Sequence, residues 1–448
     1  MANLLERAES YESASPHFPL ISRSVAEKSL SRLAAMTLFS DKSYLRMHLD
    51  VGAHGIDPYF HALFYGAAEG RALFDREQVA RSLGRASIFL DDQATPPPTY
   101  GSLDDHFSAF RKRVPAASIY VSSLGNIFMK EIAEDIAVDL RRAGIDVFIR
   151  DETSDMTQRE PLSIVVAPHE FFTLGDGKSW MRDEVIESSF VYNTEQLQTP
   201  WFAKSLPAIL ASPGVFDISP QVAHLLGEAG LPAMHLEPGA ALRTHWLEGA
   251  DLDHPLVSAL PARAKSSDFG LVPWSERPID ISFFGSESDR RESFLARNAS
   301  VLAKFSAFIY CRRQSHGVIR DQSEGQSLTR IAGHVAGHSK ISLNLHRDEF
   351  SYFEWHRIVR QGMASGSLVV TDPCLSHPRL KPGEHFFQED VRHIPNLLEW
   401  LVFDVDGRNE AQRVVKNTAQ LLSNDEDNFV RTASILSFLE EHMDGVSQ

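Results

Sequence analysis

The stretch HRDEFSYFEWHRIVRQGMASGSLVVT, His346 to Thr371, sets imidazole, guanidinium and carboxylate groups where an apolar segment gives way to a charged one. KISLNL, Lys340 to Leu345, reads as a buried strand, so His346, Arg347 and Asp348 are expected to emerge at its carboxyl end. In an open parallel sheet that edge, together with helix amino termini, is where ligands bind. A planar guanidinium fork there can grip two oxygens of a diphosphate, which makes Arg347 the first anion contact to consider, with His346 assisting or serving as a hydrogen-bonded strand end. Arg357 follows Phe353 by four residues and Glu354 by three, and Gln361 follows Arg357 by four, which sets them along one side of an expected helix. Glu354 and Arg357 could reach a ligand or pair with each other across a turn. Gly366 is expected to stop the helix, and Leu368 to Thr371 to return to the sheet.

Two other strand ends carry groups of the same kind. FFGSESDRR, Phe283 to Arg291, puts Gly285 and Ser286 directly after an apolar run, where amides can face a phosphate and Arg290 or Arg291 can neutralise it. The alternative is a tight turn with Ser286 or Ser288 capping a helix. VVAPHEFF places His169 and Glu170 past a buried strand, and FVYNTEQ presents Asn193, Glu195 and Gln196 past another. His169 is the first choice for a general base, against a purely structural loop role, and Glu195 the reserve; Asn193, Glu195 and Gln196 could hold hydroxyls of a bound molecule or cap the next helix, and Glu170 is a further hydroxyl-binding candidate.

These segments need scaffolding. Ser118–Ser122, a turn to Asn126, a helix Ile127–Ala143 closed by Gly144 and a strand Ile145–Ile149 form a β-α-β unit that opens a parallel sheet. Asn126 reads as a helix cap, and the LGN loop lacks the glycine fingerprint of a dinucleotide site. Strands at Ser163–Ala167, Phe190–Tyr192, Val215–Ser219 and Ala233–Leu236 continue the pattern. A second sheet starts at Ile279–Phe284, followed by a helix from Asp289 and a strand at Ala307–Tyr310. The expected organisation is a helical accessory module over residues 1–90, a linker over 91–100 containing three consecutive prolines, a first α/β domain over 101–275 and a second over 276–448.

Composition bounds the function. A chain of 448 residues with 43% hydrophobic content supports two large domains and an accessory piece. A net charge of −16 argues against a nucleic-acid partner, because phosphate neutralisation needs concentrated Lys and Arg. Cys311 and Cys374 lie far apart without metal-ligand spacing, and the 19 histidines form no compact ligand motif, so no metal and no cofactor are expected. A reducing cytoplasm fits this cysteine usage, and the chain shows neither a signal-peptide core nor a membrane-length apolar run. Peripheral contact with the inner face of a membrane, contact with an assembly complex, and self-association are left open.

The layout over Asp280 to Glu399 resembles the donor half of bacterial GT-B glycosyltransferases, whose fold class is α/β with two facing Rossmann-like domains. DPYFHALFYGAAEGRALFD, Asp57 to Asp75, resembles a helical motif found beside glycosyltransferase domains in surface-polysaccharide proteins. In that family a glutamate in a pattern like E-A-x-A-x-G binds the nucleotide ribose. Aligning MASG, Met363 to Gly366, with its end puts Gln361 in the glutamate's place, so either Gln361 does the task through its amide or Glu354 takes over. The resemblance implies a nucleotide-sugar donor, which is a substrate and not a cofactor. It also implies a glycan, glycolipid or protein acceptor. A silent nucleotide-sugar-binding scaffold and a nonhydrolysing epimerase are the rival readings.

Overall fold

The structure, a computed structural model, describes residues 22–92, 103–238, 247–265, 272–313, 317, 319–350, 352–355, 357–422 and 425–443. The linker expectation, with its prolines, falls largely outside these. The chain divides into two compact units, one of Met1–Pro238 with Glu426–Gln448 and one of Gly239–Asp425.

The first unit is built on a parallel sheet of β1 (Ala116–Tyr120), β2 (Asp146–Arg150), β3 (Leu162–Val166), β4 (Ser189–Asn193), β5 (Val215–Asp217) and β6 (Ala233–His235). Their order is β2-β1-β3-β4-β5-β6, so the chain reverses its direction of travel between β1 and β3. β3 and β4 are buried along their whole length, as central strands covered on both faces must be. Helix Phe128–Arg142 supplies Ile132, Ile136 and Leu140 to one face; it starts one residue later than expected, with Ile127 at the cap position, and Asn126 accepts from the Phe128 amide at 3.2 Å in the turn before it.

The same core is completed by the last helix, Asp425–Met443, which contributes Ile435, Leu436 and Leu439. Arg431 of that helix reaches Asp139 at 2.7 Å and donates to the Glu237 carbonyl at 2.7 Å. The amino-terminal helices belong to this unit as well. Arg23–Ala35 packs on helix Pro200–Ala211, and Arg76–Asp92 packs on helix Pro220–Glu228.

The second unit carries β7 (Ile279–Ser286), β8 (Ala307–Arg312), β9 (Ser339–Asn344), β10 (Leu368–Thr371) and β11 (Phe387–Gln388) in the parallel order β11-β10-β9-β7-β8. Here the reversal lies between β7 and β9. At the opposite end of this sheet Arg277 is buried and donates to the carbonyls of Val272, Ala336, Ser339 and Ser365, at 2.8 to 3.3 Å. Burial lowers its pKa to about 10. The two parallel sheets, with helices packed on them, fit the α/β GT-B fold class expected from the sequence.

Local expectations need correction in the second unit. β7 runs two residues further than the apolar pattern suggests, so Gly285 and Ser286 are strand residues paired with Cys311 and Arg312. The cap of the following helix is Ser288, whose hydroxyl accepts from the Arg291 amide at 3.3 Å. The helix after β9 is Arg357–Ala364 only. Phe353 and Glu354 precede it outside any helix, because Phe353 and Trp355 are drawn into an apolar cluster with Val359, Met363, Leu380 and Phe386. Burying two large aromatics outweighs extending a helix by one turn.

Candidate functional site

Each sheet reverses direction once, and open α/β sheets bind ligands in the crevice outside the strand carboxyl ends at such a point. In the first unit this falls at the ends of β1 and β3. Immediately beyond β3, Ala167 adopts φ 53° and ψ 65°, the only non-glycine residue among those described with positive φ. A left-handed alanine before a proline is strained by about 1 to 3 kcal/mol. The strain is held in place from both sides. The Ala167 amide donates to the Tyr192 carbonyl at 3.0 Å, and Phe171 is wedged between Tyr120 and Trp180, with ring centroids 5.8 and 5.4 Å away.

The result is a short helix, Pro168–Phe171, that presents His169. Its Nε2 lies 3.6 Å from Glu195 Oε1, and its Nδ1 is buried without a hydrogen-bond partner among the described residues. Burial, helped by the Lys204 cation, pushes the imidazole pKa down to about 3, so His169 is neutral at physiological pH. Glu195 is more exposed than His169. Its Oε2 accepts from the Thr199 hydroxyl at 3.3 Å, and Thr199 caps helix Pro200–Ala211. The two base candidates are thus brought together, and their environments separate their roles. A neutral imidazole this hard to protonate is a weak proton acceptor, whereas the carboxylate beside it is the more accessible one.

The expected acceptor-holding groups divide differently. Asn193 is fully buried and donates to the Glu195 carbonyl and to Asp217, both at 2.8 Å, while its Oδ1 accepts from the Glu195 amide at 3.3 Å. It shapes the loop that carries Glu195, and its amide has no donor left for an acceptor hydroxyl. Asp217, which the sequence reading passed over, is buried and raised to about 7 by desolvation, against hydrogen bonds from Ser219 and Asn193. Its sequence signal was a carboxylate closing an apolar strand. Glu170 Oε2 accepts from the Asn126 amide at 2.9 Å and lies against Gly125, where an added Cβ would approach it to 2.3 Å. Glu170 therefore holds the loop after β1. The Gln196 side chain accepts from Gln198 at 3.0 Å.

In the second unit the crevice lies at the ends of β7 and β9. Arg291 is buried there, donating to the Leu345 carbonyl and the Ser286 carbonyl, both at 2.8 Å, with its guanidinium 5.5 Å from the Phe283 ring centroid. It staples the ends of the two strands. Gly285 is the space this needs, since a Cβ would meet Phe283 at 2.7 Å and Arg291 at 3.0 Å. The sequence offered both residues as phosphate contacts; in the fold Gly285 pairs within the sheet and Arg291 spends its Nε and Nη1 on the strand ends. Arg290 donates to the His346 carbonyl at 2.9 Å and pairs with Asp372.

His346 is likewise a structural group, 1% exposed, with Nε2 3.2 Å from Asp372 Oδ1 and 3.3 Å from the Thr371 hydroxyl. Arg347 differs from all of these. It is exposed and makes no hydrogen bond or ion pair among the described residues, and its charge bears on Arg291. Glu354 also bears on Arg291. Gln361 turns its amide to the Thr329 carbonyl, 3.2 Å away on helix Gln322–Gly337, so it braces two helices together. Arg357 opens its helix, and its side chain lies outside the described residues. Among the described residues no group of three or more His, Cys, Asp or Glu could hold a metal ion.

No family model matches the chain, and no curated protein matches it. Solved structures similar to it include Anabaena HepE in complex with UDP-glucose, at 12% identity over 73% of this chain and 99% of that one, with a TM-score of 0.47. An alpha-glucosyltransferase in complex with UDP and a 13-mer DNA containing a HMU base is 10% identical over 72% of this chain and 99% of that one, with a TM-score of 0.42. An alpha1,3-fucosyltransferase with GDP is 10% identical over 79% and 94%, with a TM-score of 0.39. With scores below 0.5, what these proteins bind is theirs, and this chain's chemistry must come from its own side chains.

Proposed function

We propose that this protein is a metal-independent glycosyltransferase that moves a sugar from a nucleotide-sugar donor to a glycan, glycolipid or protein acceptor, in bacterial surface-glycan assembly or protein glycosylation. The observation that carries the reading is Arg347, an exposed guanidinium without a partner among the described residues, at the sheet-reversal crevice of the second unit, in a chain of net charge −16. Arg347 meets the donor diphosphate, and Glu354 takes the hydroxyls of the ribose or sugar. Transfer forms a bond from an acceptor oxygen to the anomeric carbon and breaks that carbon's bond to the phosphate oxygen, and Arg347 stabilises the charge that the leaving nucleoside diphosphate gains. Among the groups of the first unit, Glu195 is the candidate to take the proton of an acceptor hydroxyl. His169, neutral and adjacent, orients Glu195.

No helix among those described is long and apolar enough to cross a membrane. A cytoplasmic enzyme, working free or peripherally at the inner membrane face, is the setting proposed here.

A second reading, a silent scaffold that binds nucleotide sugars, is favoured by one fact. Gly285, Arg291, His346 and Gln361 are all engaged within the protein. Incubation with a panel of nucleotide sugars, with released nucleoside diphosphate quantified, separates the two. Release, with water taking the sugar in the absence of an acceptor, that is lost in Glu195→Gln supports transfer chemistry, and binding without release from any donor supports the scaffold.

A further inference from the structure

The helix that begins beside Glu195 carries an aromatic residue that needs a different explanation from its neighbours. Phe171, Trp180 and Phe202 are buried, but Trp201 is 48% exposed, with its ring centroid 5.9 Å from that of His169. Lys204 Nζ sits 4.7 Å from the Trp201 ring centroid, a cation–π contact that restrains the indole. A single exposed apolar side chain is ordinary and requires no function. His169, the ring beside Trp201, has a buried Nδ1 without a hydrogen-bond partner among the described residues, and so do Thr194 Oγ1 and Gln198 Oε1 on the loop that leads into the Trp201 helix. Buried polar atoms rarely stay unpaired, and a cluster of them on one short loop and the adjoining helix marks a place where a ligand or water completes them.

We infer that Trp201 is the stacking floor of a saccharide-acceptor subsite, with His169, Thr194 and Gln198 as its hydroxyl-binding groups. A pyranose offers an apolar C–H face and a rim of hydroxyls. The indole suits the first, and an imidazole, a hydroxyl and an amide oxygen suit the second. This rests on the glycosyl-transfer reading and narrows its acceptor from glycan, glycolipid or protein to a carbohydrate ring.

The amino-terminal helices act as positioning elements for that floor. Gly70, at φ +68°, lies where an added Cβ would be 3.3 Å from Pro200 and 3.5 Å from Lys204. Phe74 meets Phe202 with centroids 6.1 Å apart. At the other end of helix Pro200–Ala211, Arg32 donates to the Leu210 and Ser212 carbonyls at 2.6 and 3.1 Å, and Lys28 to the Ala211 carbonyl at 3.1 Å. The helix bearing Trp201 is thereby clamped at both ends by the amino-terminal helical region.

The test titrates the full chain with a panel of neutral and acidic oligosaccharides, following intrinsic fluorescence and calorimetry, in wild type, Trp201→Phe and Trp201→Ala. Nucleoside diphosphate binding is measured in parallel. Trp201 is half exposed, so unchanged thermal midpoints are expected to show that both variants fold. The expected result is saccharide binding by wild type, weakened within about threefold in Trp201→Phe and at least about tenfold in Trp201→Ala, with nucleotide binding equal in all three. Equal saccharide affinity in wild type and Trp201→Ala, or no saccharide binding by wild type, overturns the inference. Trp201-dependent saccharide binding without nucleotide binding would sustain the subsite while refuting glycosyl transfer.

Discussion

His169 Nε2 and Glu195 Oε1 stand 3.6 Å apart beyond two neighbouring strands of one sheet, with the imidazole buried and the carboxylate partly open. Burial and Lys204 hold the His169 pKa near 3, and this decides which of the pair takes a proton. Loss of a general base typically costs about 10² to 10⁴ in rate. Glu195→Gln is expected to fall in that range, and His169→Gln to lose less, about tenfold, through misplacement of Glu195. Steady-state kinetics with a saturating donor compares them. Because His169 stays neutral down to about pH 3, the kcat/KM profile of wild type should show no limb that disappears in His169→Gln between pH 5 and 8.

Ala167 tests whether strain serves the site. Ala167→Gly removes the left-handed penalty, offset in part by the greater freedom of glycine in the unfolded chain. Thermal denaturation should show an unchanged or higher midpoint, while turnover drops as His169 loses its fixed position. A large loss of stability in Ala167→Gly would contradict the strain assignment.

Asp139 and Arg431 tie the last helix to the first unit. Asp139 is buried and Arg431 only 17% exposed; Arg431→Met strips the cation from Oδ2 while Arg142, at 3.0 Å, and the Thr432 hydroxyl, at 3.0 Å, stay on Oδ1, so the expected loss lies below the about 3 to 5 kcal/mol of a fully unpaired buried charge. Pairing it with Asp139→Leu should recover much of that loss. Urea denaturation of the single and double variants measures the recovery, and additive losses would show that the two residues do not act as a pair.

Acid should weaken the second unit through His334 and His338, whose rings lie 4.2 Å apart. Burial lowers both pKa values, His334 to about 4, with Arg277 adding to the effect on His338. Between the ordinary histidine value near 6.5 and that lowered value, the unfolded chain binds protons that the folded chain does not. Stability is therefore full above about pH 6.5 and falls as pH drops towards 4. Urea midpoints across this range should decline in wild type and flatten in His334→Gln.

The alternation of strands and helices was legible because buried parallel strands are continuous apolar runs, as in Leu162–Val166 and Leu368–Val370. Turn signals such as Asn126 and Gly144 could be read from local chemistry. What the sequence hid were long-range commitments of polar groups. Nothing local tells that Arg291 spans from β7 to β9, that His346 is consumed by Asp372, or that Gln361 turns to Thr329. Each was a plausible ligand contact in one dimension and became a bracing residue once its partners were in place. Trp201 was missed for the converse reason, since a tryptophan opening an apolar helix reads as core.

The central claim is that Arg347 marks a nucleotide-diphosphate site, and calorimetric titration of UDP, GDP, ADP and dTDP into wild type and Arg347→Ala tests it most directly. Arg347 is exposed and has no hydrogen-bond or ion-pair partner among the described residues, so its replacement should leave the thermal midpoint unchanged. The account predicts micromolar binding of at least one nucleotide by wild type, weakened at least about tenfold in Arg347→Ala, with the loss shrinking at high salt. Equal affinity in the two proteins, or no binding of any of these nucleotides by wild type, would contradict it.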